Sequence, residues 1–326
     1  MEPIRKIPPR ADLTEYQQRI RNEIQHYNHW VESDEEAADV PRSLPRIDAF
    51  QLGIDAYSAH LQTKMPHINL DAYVIERQQE AGQDLRLLSL GCGTGNWEVD
   101  VARRSGGRLQ VRLVDLSDSL LEKARAVGLR DQLPIEIEAC DVNQIEIEAA
   151  RYDFIICRSS LHHFVELEHV LGQIRSGLRG NGQFILIGEW VGRNGLMLYP
   201  NTEIVAQRIF DTLPARLRLN NYTNEVDTVV PNIDHSVNSF EAVRSEEILP
   251  LLEQYFTPVE LVVYDAFMSL LLDFRYGPNY DVSRPDDRAI ASLIAQMDME
   301  LIKAKALRPT ALFGVFAPGG PAAERS

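Results

Sequence analysis

The stretch LLSLGCGTGNWEVDVA, residues 87–102, passes from large apolar residues through Gly91, Gly93 and Gly95 into a segment with helical spacing. A buried strand, a tight reversal and a helix in succession make a ligand-binding turn. Glycine lets the chain reverse there and lets a bound molecule approach where a Cβ would collide. The helix opening near Asn96 also offers free N–H groups to whatever occupies the turn. Glycines alone suit several ligands, so their company along the chain has to decide.

Outward from the turn, short apolar strands at 85–90, 109–115, 135–140, 152–157 and 183–190 alternate with helical stretches at 96–104, 117–128 and 164–178. This alternation predicts an α/β fold with a doubly wound, mostly parallel sheet. Two later strands, 259–266 and 311–317, bring the count to seven. Asp115 ends the second strand, twenty residues after Gly95, where a carboxylate can accept both hydroxyls of a ribose. Ser117 is the better helix cap there, which leaves Asp115 available. Asp141 ends the third strand in EACDVN, where its side chain can meet an adenine amino group and Val142 can lie against the ring.

With these features in place, the chain resembles a class I S-adenosylmethionine-dependent methyltransferase of the small-molecule group. The resemblance is strong over 85–190 and is carried by LGCGTG (90–95), VDLS (114–117), CDV (140–142) and FIICRSSLHHF (154–164). It implies a seven-stranded sheet whose last strand is antiparallel, and S-adenosyl-L-methionine as cofactor. It further implies that the turn of Gly91, Cys92, Gly93, Gly95 and Asn96 borders the methionine part. Asp115 and Leu116 would meet the ribose, Asp141 and Val142 the adenine, and Arg158 and Ser159 the methionine part and the sulfonium. Cys92 stands where the family varies and is assigned no chemistry.

Composition narrows the acceptor. Of 326 residues, 44% are hydrophobic and 25% charged, ordinary values for a globular enzyme. The 33 basic residues against 48 acidic ones leave a formal charge of -15, which repels phosphate backbones and anionic lipid at long range. A small-molecule substrate is expected, with neither nucleic acid nor membrane as partner. The three cysteines, Cys92, Cys140 and Cys157, make no disulfide framework and no CxxC metal site, so a reducing, cytoplasmic setting is expected. Cys140 and Cys157 read as small buried hydrophobes. No leader and no run of about 18 apolar residues is legible.

A methyl on a sulfonium is already activated, so a protein has mainly to align the acceptor and exclude water. A hydroxyl or carbon acid must in addition lose a proton, whereas an amine brings its lone pair. Oxygen is the first acceptor considered, with nitrogen and carbon as further possibilities. Candidates for the proton are His162 and His163, just past the fourth strand, because imidazole titrates near neutrality; both can equally be packing residues. Glu189, ending the fifth strand, is the second candidate. His235, Asn238 and Glu241 could reach inward from the segment that follows. No usual metal-ligand spacing is present, and no metal is expected.

Residues 1–84 read as a helical N-terminal cap, with helices at 11–31, 46–64 and 69–81. Leu13, Tyr16, Ile20, Ile24, Tyr27 and Val31 share one face of the first. Residues 85–326 form the methyltransferase domain, with lid insertions at about 191–244 and 268–310 that should select the substrate. Tyr199, Phe210, Tyr222, Phe274 and Tyr276 could line an acceptor pocket, or else form lid core. Ile290, Leu293, Ile294, Met297, Leu301 and Ile302 at helical spacing pack on a neighbour or a dimer partner, which leaves a homodimer open. Two rivals stand beside this reading. A nicotinamide-dependent oxidoreductase would want glycine at position 96 and has no task for Asp141. A catalytically silent methyltransferase-like protein would bind the cofactor without turnover.

Overall fold

A computed structural model describes residues 13–32, 46–61 and 69–319. The main sheet is built from β1 (Leu85–Leu90), β2 (Leu109–Asp115), β3 (Ile135–Ala139), β4 (Tyr152–Arg158), β5 (Leu178–Trp190), β8 (Phe256–Tyr264) and β9 (Ala311–Pro318). A separate two-stranded ribbon, β6 (Leu219–Asn220) with β7 (Glu225–Val226), lies in the first insertion. Strand order across the main sheet is β3-β2-β1-β4-β5-β9-β8. The first five strands run parallel, and β9 runs antiparallel to both β5 and β8. The seven-stranded, doubly wound sheet with its antiparallel last strand is therefore as expected. The reversal of strand order at β1 and β4 opens a crevice at their carboxyl ends, where the glycine turn lies.

Apolar side chains alternate across the strands into two cores. Leu88, Leu90, Ile155, Cys157, Phe184 and Leu186 face α6 (Leu167–Gly177) and α8 (Ser245–Tyr255). Leu87, Leu113, Phe154, Ile156 and Ile185 face α3 (Leu70–Ala81), α4 (Asn96–Arg104) and α5 (Asp118–Arg130). Burial of each such side chain contributes about 1.5–3 kcal/mol against exposure, which fixes the register of every strand. Ser117 caps α5 by accepting the Leu120 N–H at 3.4 Å.

The N-terminal helices serve three different surfaces. α3 packs on the central domain, where Tyr73 and Val74 join the second core and Asp71 bonds the indole N–H of Trp97. α2 (Asp48–Leu61) packs on α9 (Met268–Leu272) and α10 (Pro285–Lys303) of the second insertion, in a third core with Phe210, Phe267 and Tyr276. α1 (Leu13–Glu32) crosses the carboxyl ends of the strands, with Tyr16 and Ile20 against Phe240 and Val243. The helices expected at 11–31 and 46–64 are present where the chain is described; residues 11–12 and 62–64 lie outside it, as do the side chains of Leu13 and Val31.

Several expected boundaries move. The helix expected from 164 starts at Leu167, because Leu161–His163 form a separate 3-10 turn closed by the Phe164 N–H on the Leu161 carbonyl. β5 begins five residues early, at Leu178, and β8 runs 256–264 rather than 259–266. Phe210 and Tyr276 are fully buried ring to ring, with centroids 5.1 Å apart, so they form lid core and line no pocket. Tyr199 and Tyr222 carry the guanidinium groups of Arg308 and Arg275 over their rings. On α10, Ile294 is buried and Ile290, Leu301 and Ile302 are half-buried against the third core, while Leu293 and Met297 face outward.

Candidate functional site

The turn after β1 is shaped by backbone conformation. Gly91, Gly93 and Gly95 hold φ of 66°, 59° and 68°, a region costly for any residue with a Cβ. At Gly91 a Cβ would also stand 2.7 Å from Cβ of Ser160, so the glycine turn and the segment after β4 are in direct contact. The Ser160 hydroxyl donates to the Leu90 carbonyl at 2.7 Å and locks the two together. Ser159, assigned to the cofactor from sequence, is exposed and donates to the Gly188 carbonyl at 3.0 Å; the serine against the glycine turn is Ser160.

Asp115 reaches across to the turn. Its Oδ2 accepts the Gly93 N–H at 2.7 Å and its Oδ1 the Ser117 N–H at 2.9 Å. Burial raises its pKa to about 6, against the opposing pull of the Ser117, Gly93 and Leu116 N–H groups. A carboxylate has roughly four acceptor directions, so capacity is left for a ribose. Asp141 differs. Its Oδ2 accepts from the Tyr16 hydroxyl at 2.8 Å and Gln144 Nε2 at 2.9 Å, and its Oδ1 accepts the Asn143 backbone and side-chain N–H groups, both at 3.0 Å. Asp141 is thus filled by α1 and by its own 3-10 turn, while Val142 beside it is buried.

Behind the turn lies a carboxylate that the sequence reading passed over. Glu98 is 1% exposed, accepts from Ser89 Oγ at 2.7 Å, and has a second oxygen without a partner. Burial raises its pKa, with Arg158 the main opposing charge. Arg158 itself lies over the Trp97 ring at 5.1 Å. A cradle with left-handed glycines, acceptor capacity on Asp115, and an unsatisfied carboxylate beside an arginine fits a zwitterionic nucleoside such as S-adenosylmethionine.

At the mouth, His162, His163 and Glu189 do come together, held by a defect in β5. The pairing of β5 with β9 slips between Leu186 and Glu189, where Gly188 adopts φ of 62°. A bulge re-aims the following side chain. Glu189 accordingly turns inward, fully buried, and gathers the N–H groups of Ser160 (3.3 Å), Leu161 (3.0 Å) and His162 (2.7 Å). Its Oε1 also lies 2.5 Å from Nδ1 of His162. Burial alone would lower the His162 pKa, but Glu189 and then Glu241 override it and lift it to about 10.

Glu241 arrives from the first insertion. Its Oε1 is 3.3 Å from Nε2 of His162 and its Oε2 is 3.8 Å from Nε2 of His163. Burial pushes the Glu241 carboxyl up, and the two histidines outweigh that and bring it to about 2. His163 is raised despite burial and the His162 charge, through Glu241 and Glu23. From α1, Glu23 Oε1 lies 2.6 Å from His163 Nδ1, at ion-pair distance though without hydrogen-bond alignment, and the Tyr27 hydroxyl is 3.3 Å from His163 Nε2. The readable signal for these α1 residues was the occurrence of Glu23 and two tyrosines on its apolar face. His235 reaches this cluster only through its charge interaction with Glu241, and Asn238 shapes the loop that α1 binds through Asn22 and Arg19.

Sheet order and glycine turn are those of the Rossmann-like methyltransferase fold. Residues 87–182 match the family model described as a methyltransferase domain. The chain is 26% identical over 137 residues to a ubiquinone biosynthesis O-methyltransferase of Coxiella burnetii, a match covering 42% of this chain and 56% of that protein. The chain thus spans about half the length of the curated relatives it matches. Among solved structures it is similar to geranyl diphosphate C-methyltransferase from Streptomyces coelicolor A3(2), at 14% identity and a TM-score of 0.41, covering 76% of each chain. It is also similar to phosphoethanolamine N-methyltransferase 2 of Haemonchus contortus, at 17% identity and a TM-score of 0.43, covering 77% of this chain and 52% of that one. Among the described residues no helix is long and apolar enough to cross a membrane.

Proposed function

We propose that this chain transfers a methyl group from S-adenosyl-L-methionine to a small-molecule acceptor, and to oxygen before nitrogen or carbon. The observation that carries the reading is the contact between two halves of one crevice. The glycine turn with Asp115 lies on one side, and the Ser160–His163 segment backed by Glu189 lies on the other. When bound, the cofactor supplies a methyl already activated on a sulfonium. Gly91, Gly93, Gly95, Asp115 and Val142 are the residues we assign to hold it, with Glu98 and Arg158 facing its ammonium and carboxylate.

The chain's own task is then to orient the acceptor and to exclude water. Glu189 has no exposed surface and spends its acceptor directions on three N–H groups and His162, so it positions the turn and is not assigned as base. His162, charged at neutral pH in this network, orients Glu241. Glu241 stays ionised and is the least buried member of the cluster, and we assign it to accept the hydrogen bond of a hydroxyl acceptor and so orient it, since a carboxyl held at about 2 is a weak base. The relatives named as O-methyltransferases put oxygen ahead of nitrogen and carbon in this reading. The helix α1 and the two insertions close the site from solvent. The excess of acidic residues disfavours polyanionic substrates, and the free thiols of Cys92, Cys140 and Cys157 suit the cytoplasm.

The test is incubation with methyl-labelled cofactor and a small-molecule extract, followed by mass analysis of labelled products and of S-adenosylhomocysteine. Label should pass to a low-mass product with the native chain and not with Asp115→Ala. Tight S-adenosylhomocysteine binding without any labelled product would favour the catalytically silent reading.

A further inference from the structure

We propose that His162, His163 and Glu241 form a three-donor site for a divalent transition-metal ion of the zinc type. Each residue offers one ligand atom, and these atoms lie within 4.8 Å of one another. Zinc bonds of about 2.0–2.2 Å at tetrahedral angles put neighbouring donors roughly 3.3 Å apart. The separation of His162 Nε2 from Glu241 Oε1 is 3.3 Å. The distance of 3.8 Å from His163 Nε2 to Glu241 Oε2 closes with a small rotation of one side chain.

The surroundings distinguish a ligand set from a chance cluster. A metal-binding imidazole normally has a carboxylate behind its other nitrogen, which fixes the ring and raises its basicity. The His162 ring is so backed, and the His163 ring has a carboxylate at ion-pair distance from its Nδ1. Glu189 stands 2.5 Å from Nδ1 of His162, and Glu23 stands 2.6 Å from Nδ1 of His163. The two Nε2 atoms are thereby turned to the same side, toward Glu241. The Val243 N–H donates to the His162 carbonyl at 3.2 Å, tying the Glu241 segment to the turn that carries the histidines.

Charge points the same way. Glu23, Glu189 and Glu241 converge on two imidazoles, and among the described residues none of the three carboxylates pairs with a lysine or arginine. A divalent cation offsets two of these three negative charges while leaving both imidazoles neutral, as ligands must be. Two nitrogens and one carboxylate oxygen suit zinc or ferrous iron and are poor for magnesium or calcium, which want an oxygen shell. Three protein donors leave a position open at the mouth. With the ion bound, His162 is neutral and Glu241 is a ligand, so the charge state and role given to them above belong to the metal-free chain; that the open position would take the oxygen of a hydroxyl acceptor rests on the methyl-transfer reading, and binding of the ion does not.

The spacing of the donors, two adjacent and one far along the chain, explains why no metal was expected from sequence. The test is titration of tag-free, chelator-treated full-length protein with Co2+, read by visible absorption, and competition with Zn2+. One equivalent should bind, with bands of four- or five-coordinate cobalt that zinc displaces. Glu241→Gln and His163→Asn should each weaken affinity by about 30-fold or more, and Glu23→Gln by about 10-fold. S-adenosylhomocysteine binding, measured on every variant, reports folding and tests the methyl-transfer reading separately. Absence of cobalt binding up to about 1 mM in protein that binds S-adenosylhomocysteine would overturn the proposal. So would binding that Glu241→Gln and His163→Asn leave unchanged.

Discussion

Oε1 of Glu189 lies 2.5 Å from Nδ1 of His162 and 2.7 Å from the same residue's backbone nitrogen, so one buried carboxylate fixes both the side chain and the main chain of the histidine. With Oε2 on Ser160 and Leu161, it organises the whole turn after β4. Glu189→Gln keeps the shape but must turn an NH2 toward one of these donors. Hydrogen bonds to charged groups contribute about 1.5–3 kcal/mol, so unfolding stability should fall by that order. S-adenosylhomocysteine affinity should fall as well, because Ser160 backs Gly91. A urea midpoint equal to that of the native chain would speak against this account of the turn.

Tyr16 and Asp141 give a prediction of opposite sense. The Tyr16 hydroxyl occupies Oδ2 of Asp141 at 2.8 Å, one of four bonds that fill the carboxylate. An adenine amino group can use Asp141 only if a donor leaves, so the closed α1 lowers apparent affinity. Tyr16→Phe should tighten S-adenosylhomocysteine binding by roughly 2–10-fold, the worth of one net hydrogen bond. Calorimetric titration checks it, and unchanged or weaker binding would count against an inhibitory contact.

How much was legible follows from where each contact lies in the chain. The strands and the glycine turn could be read because short apolar runs such as Leu87, Leu88 and Leu90, and the glycines after this one, encode local conformation. Asp115 could be read because a strand end fixes where its side chain goes. Glu241 was named without a partner, since only tertiary folding brings it 3.3 Å from His162. Glu189 was read as a base, because nothing local discloses the bulge at Gly188 that turns it inward. Tyr27 was read as part of a helix face packing on something, and the something was the site; Glu23, on the same side of that helix, carried no reading of its own. Phe210 and Tyr276 fell the other way, since aromatic residues in an insertion look alike whether they line a pocket or fill a lid.

Asp115 makes cofactor binding sensitive to mild acid. Burial lifts its pKa to about 6, and only the ionised form keeps its full acceptor capacity for ribose hydroxyls. Affinity should therefore be constant above about pH 7 and fall as pH drops through 6, by close to 10-fold at pH 5. Asp115→Asn should bind weakly with a flat profile. A native profile that is flat from about pH 5 to 8 would mean that Asp115 does not carry the ribose contact in its ionised form.

Asp265 is one of three buried carboxyls, with Asp273 and Asp298, whose raised pKa makes the second insertion sensitive to pH. It is 3% exposed, sits at φ of 56°, and accepts the Ser269 N–H at 3.1 Å. Its pKa is raised by burial and then by Asp298, whose carboxylate takes the Ala266, Phe267 and Met268 N–H groups at the start of α9. A carboxyl raised in the folded state binds a proton that the unfolded chain has already released. Its stabilising contribution is therefore complete in acid, below about pH 4, and is lost as pH rises through the raised value. Asn tolerates the left-handed conformation and keeps the acceptor without ionising. Asp265→Asn should thus stabilise the protein by about 1–3 kcal/mol at pH 8, raising Tm there, and should make no difference near pH 4. A gain of equal size at both pH values would trace the effect to packing instead of to the charge.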